Sequence, residues 1–497
     1  MKLKLFQQPT NQHKDVCTSV GWSIHNELYS AGDDSVILKW NMSGEPIGTA
    51  LDLSFHNQTN KDSSSNSSNI KPKSLEELGN RMKNKSKRNS KRNQPKNVYF
   101  TKLAWFPLKN KRQTGSSEVY LVGCADGSFR VVSKSGREEM KVNAHIGAVV
   151  CLSWNHEGTA IATGGEDGVI KIWSRTCKPR STLCSTGSCV YALAWSPNND
   201  QILYTHKEEL VIKPLFASSK QLRWKAHGGS IVICVDWSPI TNQIVSGGED
   251  GRYKVWDSYG RVLYQSQPNE HPISSISWAL GGELFAVGSF NLIKVCDKTG
   301  WNMARETTNT GSVVDLAWTS DGTQLAAAGA SGAVCFGQLV DRKIEWKNLI
   351  VQLIDTNKVQ VSDILNDTME ELEFRDRVVK LALGFNHLIV ATTTQCCIYD
   401  VQSWHTPHNF DLPDTVNLIV QSVSVFLLID NVTGIQVFNY EGRLICNPKF
   451  TGLRTDFLNA HTISICDDVI CVTDKSSPKT IKTFDISTRK LIDNPFE

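Results

Sequence analysis

The chain of 497 residues has no Cys-x-x-Cys pair, no helix-length apolar run and none of the short motifs that mark common catalytic sites. Each absence removes a class of protein. The fourteen cysteines are scattered; Cys184 and Cys189 are five apart and Cys396 and Cys397 are adjacent, and neither is a zinc spacing. Free, buried thiols in a reducing cytoplasm are the expectation. The longest apolar stretch, VNLIVQSVSVFLLI at 416–429, is interrupted by Asn and Gln and falls short of the roughly 20 residues a membrane helix needs. The opening MKLKLFQQPT has basic residues with no apolar core behind them, so it does not read as a secretory signal. Its alternation suits an edge strand that closes a ring by pairing with a late strand. P-loop, GxSxG, HExxH and paired-carboxylate motifs are all missing. No catalytic residue, cofactor, metal ligand or small-molecule substrate is assigned on this reading, and the protein is expected not to be an enzyme. Apolar content of 40% and charge of 21% belong to an ordinary globular chain, long enough for two or three domains.

What the sequence does have is repetition. Residues 164–173 read GGEDGVIKIW and residues 247–256 read GGEDGRYKVW. Two marks recur around them. Short β-branched runs end in Trp22, Trp105, Trp154, Trp195, Trp237, Trp278 and Trp318, and from Trp105 the steps are 49, 41, 42, 41 and 40 residues. A second strand pair follows each, from LYSAGDDSVILKW to LAAAGASGAVCFG, with ED-G or DD-S at the tight turn. Four short strands per roughly forty residues is the period of a propeller blade. The sequence therefore predicts an all-β chain: a seven-bladed WD-repeat β-propeller over 1–340, followed by an incomplete second propeller over 341–497. Three strand-run segments, 378–404, 416–444 and 463–491, give about three blades there, with 364–377 as an edge or linker, and a truncated product of a longer chain is the expectation.

Three of the first blades share a polar set: His13, Ser30, Asp34 and Trp40; His145, Thr163, Asp167 and Trp173; His227, Ser246, Asp250 and Trp256. A hydroxyl, an imidazole and a carboxylate resemble a nucleophilic triad. A catalytic set occurs once, however, whereas this one recurs with the blades. The expected role is structural: a chain of hydrogen bonds from Asp to His to Ser/Thr to the Trp N–H. Blade four has Glu208, Glu209 and Pro214 instead, and blade six has Cys296 in the Trp position, so apolar packing must carry more there. Trp224 and Trp346, beside Lys225 and Lys347, read as outer-strand packing or as rim aromatics.

Between Trp22 and Trp105 about forty residues are surplus to one blade. Residues 57–97 read as a disordered, Ser/Asn/Lys-rich insertion. Eleven Lys and Arg lie within 61–97 against Asp62, Glu76 and Glu77, a net +8, so the chain's overall +3 leaves −5 for everything else. A cationic arm for acidic partners or a nuclear-localisation run are functional readings. No aromatic residues are interleaved for base stacking, so nucleic acid is not the expected partner.

The segments ELYSAGDDSVILKWN, AHIGAVVCLSWNHEGTAIATGGEDGVIKIWS, YKVWDSYGR, GELFAVGSF, LNDTMEELEFRDRVVK and YEGRLICNPKFTGLRTDFLNA resemble the WD-repeat, double-propeller (eighty-kilodalton) subunits of intraflagellar transport complex B, in a C-terminally truncated form. The resemblance spans the chain except 57–97. It implies a scaffold with other intraflagellar transport B subunits as partners and without membrane insertion. It also implies roles in cilium assembly and hedgehog signalling, and a place in the cilium (basal body and axoneme) and cytoplasm. Family members continue into a helical tail that is not present in these 497 residues, and the basic insertion has no counterpart in the resemblance. The alternative is a WD-repeat nuclear or nucleic-acid-associated assembly factor using the loop at 61–97.

Overall fold

The computed structural model describes residues 1–7, 13–54, 98–107, 118–216, 220–430, 433–450, 458–473 and 480–496. The insertion expected at 57–97 lies outside them. Among the described residues every regular element is a strand.

The first sheet shows the plan: Cys17–Trp22, Leu28–Gly32, Val36–Trp40 and Pro46–Asp52 pair in that order, all antiparallel. Sheets beginning at Phe100–Trp105, Val149–Trp154, Leu193–Trp195 and Val232–Trp237 repeat it. Burial falls from inside to outside. In the third sheet Ala160–Gly165 is buried at every position, while the outermost strand, Pro179–Ser185, is mostly exposed. That gradient explains why the sequence shows continuous apolar runs next to polar ones rather than one uniform alternation.

Turn chemistry sets each hairpin. Ser35, Gly168 and Gly251 have φ of 63°, 73° and 70°, the left-handed region. Their N–H groups donate back to the carbonyls of Gly32, Gly165 and Gly248 at 3.2, 3.1 and 3.3 Å. Four of the Trp residues that end the inner strands, Trp22, Trp105, Trp195 and Trp318, link one sheet to another. The indole N–H of Trp105 donates to Gly21 O (3.2 Å), that of Trp195 to Ser153 O (3.2 Å) and that of Trp318 to Ser277 O (3.0 Å). Each of these bonds joins an inner strand to the inner strand of the preceding sheet.

The same bond closes the circle, because Trp22 donates to Ala317 O at 3.2 Å. The last sheet of this part has six strands in the order Lys2–Gln7, Val334–Val340, Gln324–Gly329, Asn302–Trp318, Leu284–Asp297, Ser275–Trp278. Its two long strands each serve twice. Asn302–Trp318 pairs through 302–307 with one neighbour and through 313–318 with the other. Leu284–Asp297 turns at Asn291, where φ is 49°, and the Lys298 N–H donates to Glu283 O at 2.9 Å across the hairpin. The first strand runs antiparallel to the last, Lys2 opposite Val340 and Gln7 opposite Cys335, as the alternation of MKLKLFQ leads one to expect. Leu3 is buried and Phe6 stacks on Phe336 with centroids 5.5 Å apart.

Four more four-stranded sheets follow over 342–496. This corrects the count of about three. The additional sheet is Arg342–Trp346, Leu349–Leu353, Lys358–Asp363 and Thr368–Glu373. Charged residues alternate through RKIEW and TMEELE, so two of its four strands lack the apolar runs that mark the other sheets. Thr368–Glu373, within the stretch read as an edge or linker, is the exposed outer strand.

Leu3→Ala removes a buried side chain from the closing strand and is expected to cost about 2–5 kcal/mol. A chain starting at residue 8 loses the whole edge pairing and should melt lower and less cooperatively. Calorimetric unfolding checks both.

Candidate functional site

The residues of the three polar sets lie within hydrogen-bond distance of one another. Trp40 Nε1 donates to Ser30 Oγ (2.8 Å), which is 2.8 Å from His13 Nε2, and His13 Nδ1 is 3.1 Å from both Asp34 oxygens. In the third sheet Trp173 donates to Thr163 (2.9 Å), Thr163 meets His145 Nε2 (2.9 Å), and His145 Nδ1 meets Asp167 at 3.0 and 3.3 Å. In the fifth, Trp256, Ser246, His227 and Asp250 repeat the chain, every link 2.9 or 3.0 Å.

One proton arrangement satisfies every group in these chains. The indole N–H donates to the hydroxyl oxygen, the hydroxyl donates to Nε2, and Nδ1–H donates to the carboxylate. The imidazole is then neutral. Burial, the dominant influence, pushes the His145 and His227 pKa down despite the facing carboxylates. Burial alone would raise the carboxyl of Asp167. The N–H groups of Val169 and Ile146, with His145, outweigh it and hold that carboxyl below its usual range. Asp34 is lowered in the same way, His13 contributing most against the burial penalty.

The doubled glycines of the repeated phrase serve the same network. A Cβ on Gly165 or Gly248 would lie 2.5 or 2.6 Å from the Nδ1 of His145 or His227, and one on Gly32 would lie 2.5 Å from that of His13. A Cβ on Gly164 or Gly247 would meet the sulfur of Cys151 or Cys234 at 2.7 Å. Each His ring has no exposed side-chain surface. With both imidazole nitrogens occupied, each set links strands and turns of its own sheet.

Other blades use other means. Cys296 is fully buried where a Trp would sit, its thiol 3.4 Å from Tyr253 Oη. In the fourth sheet Glu208 pairs with Lys225 at 2.8 Å and Glu209 with Arg223. Trp224, on the outer strand of the fourth sheet, packs on Trp256 with centroids 5.8 Å apart, whereas Trp346 ends the first strand of its sheet with Lys347 4.0 Å above its ring. The cysteines are unpaired, and all but Cys184, Cys189, Cys466 and Cys471 are buried. Sequence reading passed over two features. Tyr259, Leu263 and Trp301 are exposed along the outer edges of the fifth and sixth sheets. The central positions of the inner strands carry charge: Lys102 Nζ lies 2.7 Å from Asp315 Oδ1, and Ser19 Oγ donates to Asp315 Oδ2 at 2.5 Å. Ser19, Lys102 and Asp315 each stand three residues before the Trp of their inner strand, but the residue type at that position changes from blade to blade, so the repeat does not announce their pairing.

Asp167→Ala strands Nδ1–H of His145 and two backbone N–H groups, and is expected to cost roughly 2 kcal/mol in denaturant unfolding. Because the folded-state pKa of His145 and His227 is depressed, the unfolded chain takes up their protons first. Stability is therefore full at neutral pH and declines as pH falls through about 6.5, with Asp34 and Asp167 adding a second loss below about 4. Thermal midpoints measured from pH 7.5 to 5 should fall, and His145→Gln with His227→Gln should flatten that slope.

Residues 136–174 and 218–257, two of the blades just described, match the family model "WD domain, G-beta repeat", and residues 341–497 match "IFT80 second beta-propeller". The chain is 45% identical over 493 residues to intraflagellar transport protein 80 homologues of Mus musculus and Rattus norvegicus, covering 99% of itself and 58% of them. It thus spans a little over half the length of those relatives. An intraflagellar transport protein 172 homologue of Mus musculus is 23% identical over 370 residues, 70% of this chain and 20% of that one. With WD repeats in the first part and the second-propeller match over the remainder, the chain is similar to intraflagellar transport protein 80 homologues along nearly all of its own length.

Proposed function

We propose that this protein is a non-enzymatic scaffold of the intraflagellar transport B complex, with residues 1–340 forming a closed seven-bladed propeller and residues 341–497 forming blades of a second. The observation that carries the reading is the match to intraflagellar transport protein 80 homologues along 99% of the chain. The site chemistry agrees with it. The titratable triads recur from blade to blade and are buried, so they supply rigidity rather than catalysis. Rigid rings present several separate loop surfaces, which suits a subunit that holds neighbours in place. The exposed Tyr259, Leu263 and Trp301 supply apolar surface of the kind protein contacts use.

On this proposal the partners are other intraflagellar transport B subunits, the location is the cilium (basal body and axoneme) and the cytoplasm, and loss of the protein impairs cilium assembly. Affinity purification of the 497-residue chain from ciliated cells, with co-purifying proteins identified by mass spectrometry, is the test. Recovery of the transport subunits is expected. Their absence, together with nuclear accumulation of the chain and salt-sensitive nucleic-acid binding lost on deleting 61–97, would establish the assembly-factor reading instead.

A further inference from the structure

Three cations meet where the first group of sheets abuts the second. Arg342 begins the inner strand Arg342–Trp346, Lys380 lies on the inner strand Val378–Gly384, and Arg377 immediately precedes that strand. Facing them is Asp321, whose carboxylate is wholly buried, on the turn between Asn302–Trp318 and Gln324–Gly329.

The hydrogen bonds of this cluster do not balance. Asp321 Oδ1 already accepts from Thr319 Oγ1 (2.7 Å), Thr323 Oγ1 (2.7 Å) and Thr323 N–H (2.9 Å). Its Oδ2 takes Arg377 Nη2. Arg342 spends Nη1 on the Val379 carbonyl at 3.0 Å. That leaves Arg377 Nε and Nη1 and Arg342 Nε buried without an acceptor. Lys380, half-buried, has no ion-pair or hydrogen-bond partner among the described residues.

The charges do not balance either: three cations face one carboxylate. Arg342 stands close enough to feel both Arg377 and Lys380, and burial depresses the pKa of all three. The other carboxylate that Lys380 feels, Glu283, is exposed and 3.0 Å from Lys298. A water molecule would accept hydrogen bonds here but would leave the charge excess in place. Two planar guanidinium forks beside one ammonium match the oxygens of a tetrahedral dianion.

We propose that Arg342, Arg377 and Lys380 bind a small tetrahedral oxyanion, free phosphate or the head of a small phosphate monoester, at the seam between the two groups of sheets. The anion supplies acceptors to the unpaired guanidinium N–H groups, offsets the excess charge and ties the first group to the second. Arg377 remains bonded to Asp321 and so touches both sides of the seam. Binding then stabilises the whole chain by mass action.

The test is equilibrium dialysis of the whole chain against radiolabelled inorganic phosphate at constant ionic strength, with thermal melting in parallel. A single saturable site is expected, with a higher melting midpoint in phosphate than in chloride. Lys380→Met and, separately, Arg342→Met should each weaken binding by about tenfold or more while still melting cooperatively in chloride. Competition by glycerol 3-phosphate would identify a site open to esters; without it the site is one for free phosphate. No phosphate bound above the chloride background, or unchanged affinity in both variants, overturns the proposal. Should a variant fail to melt cooperatively, the wild-type chain decides alone: a single bound phosphate sustains the site and none removes it.

Discussion

The pairing of Lys2–Gln7 with Val334–Val340 joins the beginning of the first part of the chain to its end, and the surrounding sheets depend on it. A circle of sheets packs each inner strand against two neighbours, so the circle is complete only when the last sheet meets the first. Two contacts achieve this together: the Trp22 indole donating to Ala317 O, and the Ser19 hydroxyl donating to Asp315. Apolar packing seals the same joint, with Cys17, Val20, Trp22, Trp40, Ala326, Ala328 and Phe336 in one cluster. Without the edge strand, Val334–Val340 would expose unpaired N–H and C=O groups, the usual liability of an open sheet.

Within that circle, stability is distributed unevenly by design of the local sequence. The first, third and fifth sheets carry the Trp–hydroxyl–His–Asp chain. The fourth packs Leu203, Leu210 and Ile212 against Val235 and Trp237 of the next sheet, and the sixth has the buried Cys296 beside Tyr253 and Phe285. A polar network in a buried blade fixes geometry because each donor has one acceptor, whereas an apolar blade tolerates variation in shape. Three blades with fixed geometry separated by more tolerant ones give a ring that is both defined and able to close.

The second group of sheets is attached by charge as well as by chain continuity. Lys2 and Lys4 of the closing strand reach Asp341 and Asp355 at 3.8 and 3.5 Å, both exposed pairs of small energetic weight. The buried pair Arg377–Asp321 is different, since losing either partner would leave an uncompensated charge inside the seam. The closing strand thus also forms part of the contact with the second group of sheets.

Much of this was legible in the residues. Trp-terminated runs, the GGEDG turns and the spacing of His13, Ser30, Asp34 and Trp40 and their two repeats determined strands, hairpins and polar networks, because each is a local or periodic feature that chain connectivity alone brings about. The alternation of MKLKLFQ also pointed to an edge strand. The sheet at 342–373 escaped because its charged alternation imitates a linker. Tertiary structure alone decided that Arg342, Arg377 and Lys380 would face Asp321, and that Lys102 would reach Asp315. Those groups are distant in sequence, and although Lys102 and Asp315 share a position in the repeat, only the packing of inner strands brings their charges within range of one another.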